Sequence, residues 1–408
     1  MRIALISFEY PPAVAIGGIG AYAAEAARML SAAGEDIEVF AAGTATSSER
    51  DTNGVLVHRV VASERLQFSA ALVPTFTARH AERPFDVLES PEVGAEGLAI
   101  AEAFPEVARV VKLHTPSYLI HELTYESPSW LEHLRFTLGA LRRGRWARLG
   151  PPVRQVNDPE ARFALMADVV AAPCQAIATR VGQDWGLDAS KVQIFPLPYR
   201  PSEALLQLPV PTSIRTIGFL GRLEPRKGII ELTRAIPAVL AACPDVRFRF
   251  IGPSWPYRRE DMQTWMLGQL GRHAKAVTFV GSVDREGLPE ALAACDAMIL
   301  PSRWENFPYA CWESLAAGRL VIGSVAGGMA DVIQFGVNGY LVPPRAPREV
   351  ANMLIKAIRS QADTSLISAE GRRAVLEVLS PECVLPKQMK GYAEAVSSAR
   401  MRGVALGS

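Results

Sequence analysis

The chain is 408 residues long, with 49% hydrophobic and 21% charged residues, and its 43 Lys+Arg nearly cancel its 42 Asp+Glu to leave a formal charge of +1. That balance excludes a disordered chain and argues against a dedicated nucleic-acid binder, which carries a basic excess, and the length suits two domains of about 150–200 residues each. The five cysteines (Cys174, Cys243, Cys295, Cys311 and Cys383) are scattered and contain no C-x-x-C, so a reducing, cytoplasmic setting is expected rather than a disulfide scaffold or a structural zinc site.

No leader of basic and apolar residues precedes the first strand pattern, Ile3–Phe8, so export is not expected. No apolar run reaches the ~18–20 residues that cross a bilayer. Next come Gly17-Gly18-Ile19-Gly20 and a helical stretch from about Ala21 to Ala32. Glycines there let the backbone close on a phosphate, and a helix start offers unpaired N–H groups and partial positive charge. Read as Gly18-x-Gly20-x-x-Ala23, the run also fits a dinucleotide fingerprint and hence an oxidoreductase. Against that, Glu9–Ile16, with Pro11 and Pro12, separate strand from glycines, and the expected acid falls on Glu38, inside the next strand pattern. A plain tight turn is the third alternative.

Apolar runs at Ile37–Ala41, Val110–Leu113, Val169–Ala172, Ile214–Leu220, Arg247–Ile251, Val277–Val280, Ala297–Leu300 and Leu320–Ser324 alternate with helical stretches. Continuous runs of this kind are parallel strands buried on both faces, which predicts doubly wound α/β sheets with ligands outside the carboxyl ends of the strands. His114, in His114-Thr115-Pro116 after Val110–Leu113, would face such a cleft with a neutral imidazole able to bond a substrate hydroxyl; a lone histidine is otherwise a structural residue. Trp130–Leu149 reads as a helix with an apolar stripe of Trp130, Leu131, Leu134, Leu138 and Leu141. Arg135, Arg142, Arg143, Arg145 and Arg148 oppose one acid, Glu132. That face suits an anionic acceptor or an anionic membrane surface, or is simply a solvated basic face.

The run Phe195-Pro-Leu-Pro-Tyr-Arg-Pro201, with Pro209 and Pro211 beyond it, resists helix and places a linker near 197–212. Residues 1–200 and 201–380 then form one domain each, and 381–408 forms a closing segment that packs back on the first. Three motifs follow strands of the second half. In Gly221-Arg222-Leu223-Glu224-Pro225-Arg226-Lys227-Gly228, Arg222 and Lys227 would clamp a diphosphate, or the run is a solvated basic turn. In Pro301-Ser302-Arg303-Trp304-Glu305-Asn306-Phe307-Pro308-Tyr309-Ala310-Cys311-Trp312-Glu313, a helix starting near Asn306 would set Glu305 and Glu313 about 12 Å apart along its axis. A nucleotide sugar bridges that distance; otherwise the two acids are a cap and a salt-bridged helix residue. Glycine-rich Gly323–Gly328 supplies a further helix start. No Asp-x-Asp and no His/Cys/Asp cluster with metal-ligand spacing occurs, so no metal site and no cofactor are expected.

In this order, the N-terminal Gly-Gly loop, His114-Thr-Pro, Ala167-Asp168-Val-Val-Ala-Ala-Pro173, Gly-Arg-Leu-x-x-x-Lys-Gly, Glu-x7-Glu and Asn338-Gly339 resemble the family 4 glycosyltransferases over about residues 1–395. The resemblance implies the two-domain GT-B fold, with an N-terminal acceptor-binding and a C-terminal nucleotide-sugar-binding domain. It implies retaining, metal-independent transfer of a hexose-type sugar from a nucleoside diphosphate sugar, UDP first and GDP second. The acceptor would be a hydroxyl of a glycan or lipid-linked glycan, in polysaccharide or glycolipid synthesis at the cytoplasmic side of a membrane. Gly17 and Gly18 would approach the diphosphate, and Arg222 and Lys227 would bind it. Glu305 would hold the transferred sugar, aided by backbone groups of Asn306, Phe307 and Pro308; Glu313 would bind the ribose, and His114 would sit beside the reacting sugar. The chain departs from the family's usual Glu at Asp331, its frequent Ser at Cys174, and its frequent Asn-Gly at Leu197-Pro198. The alternative from another class is a non-catalytic nucleotide-sugar or glycan binding protein on the same fold.

Overall fold

The computed structural model describes residues 1–12, 17–125, 130–144, 157–360 and 363–406. Its first sheet is built from β1 (Arg2–Ser7), β2 (Asp36–Gly43), β3 (Ser47–Arg50), β4 (Leu56–Val61), β5 (Val87–Pro91), β6 (Ala108–Lys112), β7 (Val169–Ala172) and β8 (Val192–Ile194), in the order β3-β4-β2-β1-β5-β6-β7-β8. All neighbours are parallel except β3 with β4. The second sheet uses β9 (Thr216–Leu220) and β10 (Arg247–Ile251); a short hairpin of β11 (Pro256–Tyr257) and β12 (Glu260–Asp261) stands apart. With β13 (Val277–Gly281), β14 (Ala297–Leu300), β15 (Leu320–Ser324) and β16 (Tyr340–Val342), its order is β13-β10-β9-β14-β15-β16, parallel throughout.

The central strands of each sheet are buried on both faces, which is why strands such as β1, β7, β14 and β15 read as largely apolar runs. In β1, Ala4 and Ile6 pack with Phe40, Phe68 and Phe76 on one side, while Ile3 and Leu5 pack with Val384 and Tyr392 on the other. In β14, Ala297 and Ile299 join Ile217 and Phe219, and Met298 and Leu300 join Trp312 and Met329. Alternation of successive side chains across the pleat produces both layers.

The last helix, Pro381–Leu406, leaves the second domain and returns to the first. Val384, Tyr392, Ala395 and Ala399 complete a core that includes Ile3, Leu5 and Val110. A buried polar knot holds it there: the Glu89 carboxylate accepts from Tyr22 Oη at 2.5 Å, Tyr392 Oη at 2.7 Å and Gln388 Nε2 at 3.3 Å. Lys112, buried beside it, donates to the Phe195 carbonyl at 2.9 Å, and loss of hydration pulls its pKa down to about 7 despite Glu89. The chain thus passes between domains twice, near Pro196–Pro201 and near Ser380. These passages are joined where Tyr199 N–H donates to the Leu379 carbonyl at 2.8 Å.

Among the described residues no helix is long and apolar enough to cross a membrane. The basic helix observed is Trp130–Leu141; the part of the expected helix holding Arg145 and Arg148 lies outside the described residues.

Candidate active site

The sites of interest all lie on loops that leave carboxyl ends of strands. The helix Gly18–Ala32 begins at Gly18, three residues before the sequence-based start, with Gly17 as its N-cap. The Gly17 N–H donates to Glu9 Oε2 at 2.7 Å, so in this state a carboxylate of the chain itself sits where an anion is favoured. The other Glu9 oxygen pairs with Arg65, which also pairs with Glu96. Glu38 is engaged inside β2 by Arg2, Arg79 and His58. That leaves it in a structural cluster rather than at a strand end, where a dinucleotide ribose would require an acid.

His114 follows β6 and is buried. Its backbone N–H donates to both oxygens of the buried Glu92 carboxylate, at 2.7 and 2.9 Å, and its ring meets Tyr22 edge-on at 5.5 Å. Burial, reinforced by the charges of Lys112 and Arg65, takes the imidazole pKa down to about 3, so the ring is neutral throughout the physiological range. Its Nε2 is buried without a hydrogen-bond partner among the described residues, which leaves it able to bond a group brought into the site.

The turn after β9 folds into a short 3₁₀ segment, Pro225–Lys227. Arg222 and Lys227 make different contacts there. Arg222 lies ahead of the 3₁₀ turn, its side chain 48% exposed; it reaches Glu224 at 3.4 Å and lies over the Trp255 ring at 5.0 Å. Lys227 instead forms an ion pair with Glu305, and Arg226 reaches the same Glu305 oxygen at 3.3 Å and Glu224 at 2.8 Å. The sequence does not single out Arg226, although it stands in the same basic turn. The 3₁₀ geometry turns adjacent Arg226 and Lys227 toward one carboxylate, and only that local geometry separates it from Arg222.

Glu305 also accepts from Ser302 Oγ at 3.3 Å. Burial opposes its ionisation, but Lys227 and Arg226 outweigh burial and hold the carboxyl below its ordinary range, while burial draws Lys227 down despite Glu305. Segment 301–308 is loop rather than helix: the helix is Tyr309–Ala316, with Pro308 as its N-cap. Half of the interval between Glu305 and Glu313 is therefore loop, and the axial separation of about 12 Å expected of a continuous helix does not apply. The loop is held on both sides. Arg303 N–H donates to the Arg226 carbonyl at 2.8 Å, Glu305 N–H to the Ala326 carbonyl at 3.1 Å, and Gly328 N–H to the Glu305 carbonyl at 2.8 Å.

Two glycines make this possible. Gly228 has φ +75°, and a Cβ there would lie 2.0 Å from the Pro301 carbonyl oxygen; Gly327 has φ +108°, and its Cβ would lie 1.8 Å from that of Glu305. Gly323–Gly328 leads into a 3₁₀ turn, Gly328–Asp331, rather than a full helix.

Glu313, in the helix, is pushed up to about 7 by burial, with Arg285 opposing. The hydroxyls of Tyr199 and Tyr309 are buried without partners among the described residues, and both tyrosines feel the Glu313 charge. Phe307 packs against Tyr309 and Trp312 and joins Tyr22, Ala26 and Leu197 in a cluster spanning both domains. Asn306 is buried and bonds the first domain through its side chain. Asn338 has a local job: it accepts from Gln334 N–H at 2.7 Å and donates to the Val332 carbonyl at 3.0 Å. Among the described residues, no group of three or more His, Cys, Asp or Glu side chains is arranged to hold a metal ion.

Two family models match. The "Glycosyl transferase 4-like domain" covers residues 17–198 and "Glycosyl transferases group 1" covers 214–360, one on each sheet. Among curated relatives, a glycogen synthase of Mycobacterium tuberculosis is 25% identical over 94% of this chain and 91% of its own. A D-inositol 3-phosphate glycosyltransferase of Acidothermus cellulolyticus is 27% identical over 86% of this chain and 82% of its own. Among solved structures, a sucrose-phosphate synthase from Thermosynechococcus elongatus superposes with TM-score 0.69 at 20% identity, covering all of both chains. Anabaena HepE in complex with UDP-glucose gives 0.65 at 21% identity, over 98% of this chain and all of its own. Starch Synthase IV from Arabidopsis thaliana, bound to ADP and acarbose, gives 0.66 at 13% identity, over 97% of this chain and 99% of its own. These structures share the GT-B architecture of two Rossmann-like domains.

Proposed function

Because the chain belongs to the family 4 glycosyltransferases, we propose that it moves a hexose-type sugar from a nucleoside diphosphate sugar to a hydroxyl acceptor with retention at the anomeric carbon. The observation that carries this reading is the buried Glu305 carboxylate, paired with Lys227 and Arg226 and linked through Asn306 to His114. On donor binding, Lys227 and Arg226 exchange part of their pairing with Glu305 for the diphosphate, joined by Arg222 from its exposed position. Glu305 then accepts from the hydroxyls of the sugar. Cations and helix starts fixed in advance stabilise the charge that grows on the leaving diphosphate, the largest contribution expected in such a site. We propose that these cations replace a metal, and that Glu313 accepts from the ribose hydroxyls.

Retention by front-side attack fits the surroundings better than double displacement. In the bound state proposed above Glu305 is occupied by hydroxyls of the sugar, and Glu92 is engaged by the His114 N–H, which leaves neither placed as a covalent nucleophile. The neutral His114 ring is suited to hold a sugar hydroxyl near the reacting carbon. The base of the donor is proposed as uracil, with guanine second; the relatives with UDP-glucose and with ADP support a nucleoside diphosphate in general. A thermal-shift panel of UDP-, ADP-, GDP- and dTDP-sugars in EDTA, followed by NMR of the product anomer, tests the reading. Stabilisation and an α-linked product from an α-donor support it. Binding without turnover for every acceptor tried would favour a non-catalytic binding protein.

The acceptor is proposed to be a glycan or lipid-linked glycan met at an anionic membrane surface. Trp130, Leu134, Leu138 and Leu141 repeat at helical spacing along Trp130–Leu141 and are 73%, 46%, 57% and 48% exposed. Arg135, Arg142 and Arg143 are exposed beside them, an arrangement that matches a helix lying in a headgroup layer. Flotation with vesicles containing phosphatidylglycerol, but not with neutral phosphatidylcholine vesicles, is the expected result, lost in Trp130→Glu/Leu138→Glu. Equal recovery with both vesicle types, or with neither, would refute the membrane contact.

A further inference from the structure

Asn306 stands between Glu305 and Phe307 in the second domain, yet among the described residues all the hydrogen bonds of its carboxamide go to the first. Its Nδ2 donates to the carbonyl of His114 and, at 3.4 Å, to that of Leu113; its Oδ1 accepts from the Cys174 thiol at 3.3 Å. The side chain is buried, so separating the domains would leave the carbonyls and the amide to find water instead. Its surroundings are shaped to it: a Cβ on Gly328 would lie 2.1 Å from the Asn306 carbonyl oxygen and 3.1 Å from Cys174 Cβ. Beside it, the Gln175 N–H donates to Asp331 Oδ2 at 2.7 Å, a second bond across the same boundary.

We propose that Asn306 is the positioning residue that couples docking of the two domains to assembly of the transfer site. The backbone unit it grips belongs to His114, and the residue before it is Glu305, so one carboxamide sets the two candidate groups relative to each other. The thiol of Cys174 completes the contact as a weak donor, and burial pushes its pKa up to about 12, which keeps it protonated and donating. This role rests on the glycosyltransferase reading only for its catalytic consequence; the docking itself is a property of the fold.

The test uses Asn306→Asp in the full chain. Aspartate has the same shape and keeps an acceptor for Cys174, but it turns an oxygen toward the carbonyls of Leu113 and His114, so the docked arrangement becomes repulsive. Small-angle X-ray scattering with and without UDP-glucose reads docking, and kcat and KM for the donor are measured separately. The expected result is a larger radius of gyration at a melting temperature close to that of the wild type. The kcat is expected to fall at least about tenfold while donor KM changes less than about threefold. A variant as compact and as active as the wild type overturns the proposal. So does a loss of kcat and KM that simply follows a loss of folded protein. Should Asn306→Asp not fold, Cys174→Ala removes a bond from the opposite side: an unchanged radius of gyration then overturns the proposal, and a larger one at an unchanged melting temperature supports it. If the wild type turns over no nucleotide sugar, the functional reading falls while the scattering comparison still decides whether Asn306 holds the domains together.

Discussion

Lys227 and Glu305 neutralise each other across the gap between the turn after β9 and the loop after β14. Each is the reason the other tolerates its burial: the ammonium offsets what the carboxylate loses on leaving water, with Arg226 as the second cation. A pair of this kind stores charge in a dry place until a ligand with its own anion and hydroxyls arrives to divide it.

Lys227→Ala leaves Glu305 buried with Arg226 alone, so both stability and turnover are expected to fall, stability by about 3 kcal/mol and turnover by about 10²–10³-fold. The double variant Lys227→Ala/Glu305→Gln restores much of the stability and none of the turnover, because no unpaired charge remains. Arg222→Ala, at a half-exposed position, lowers turnover at an unchanged melting temperature. Chemical denaturation alongside single-turnover kinetics separates the three. A Lys227→Ala protein as stable and active as the wild type would remove the pair from the site.

Glu313 supplies the pH dependence. Its carboxyl, raised to about 7, binds a proton in the folded state at pH values where it is ionised in the unfolded chain. It therefore contributes stability below about pH 4 that is lost as pH rises through 7. In the ribose-binding role proposed for Glu313 the ionised carboxylate is the stronger acceptor, so donor affinity is expected to move the other way and weaken as pH falls below about 7. Calorimetric titration with a nucleoside diphosphate sugar, whose phosphates do not titrate there, is expected to show this, and Glu313→Gln is expected to flatten it. Arg285→Ala, which removes the opposing cation, shifts the profile to higher pH.

Gly327→Ala and Gly228→Ala each push a methyl group into a carbonyl oxygen beside the Glu305 loop, from a backbone with positive φ. Both variants are expected to lose about 2–4 kcal/mol of stability. Gly18→Ala, with nothing within 4 Å of its added carbon, is expected to lose little. Urea denaturation of the three proteins ranks them.

Removal of residues 381–408 uncovers Ile3, Leu5 and Val110 and leaves Glu89 without Tyr392 and Gln388. Loss of a few fully buried side chains, at about 1.5–3 kcal/mol each, is comparable to the about 5–15 kcal/mol that a domain holds in reserve. The truncated chain is expected to be insoluble or molten by near-ultraviolet circular dichroism. Tyr392→Phe should lose only about 1–2 kcal/mol.

What could be read in the sequence were the parallel strands and the loops at their ends. β6 with His114, β9 with Gly221–Gly228 and β14 with Pro301–Glu313 each hold a short apolar stretch followed by residues of unusual chemistry. β3 was missed because Ser47–Arg50 is polar and fully exposed, an antiparallel edge with no buried face to mark it. β5 was missed because Glu89 and Ser90 interrupt it, and the partners that make Glu89 tolerable lie in Tyr22 and Tyr392. β8 and β16 are three residues each, too short for any period. In the site, the type and order of residues were legible, but not which cation faces which anion. The turning of Arg226 beside Lys227 toward Glu305 depends on one 3₁₀ turn, the Glu9 contact with Gly17 on a meeting of residues eight apart, and the role proposed for Asn306 on the approach of a second domain.

The bond between Tyr199 and Leu379 fastens the two passages between the domains to each other. Two domains joined by one strand can tumble about each other freely; two joined by a pair of strands fastened side by side swing like a door on its pin. Opening is then expected to be a swing about that fastened pair. Asn306 is then expected to part from His114 as Asp331 parts from Gln175, and a distance between probes on the two domains checks that single swing.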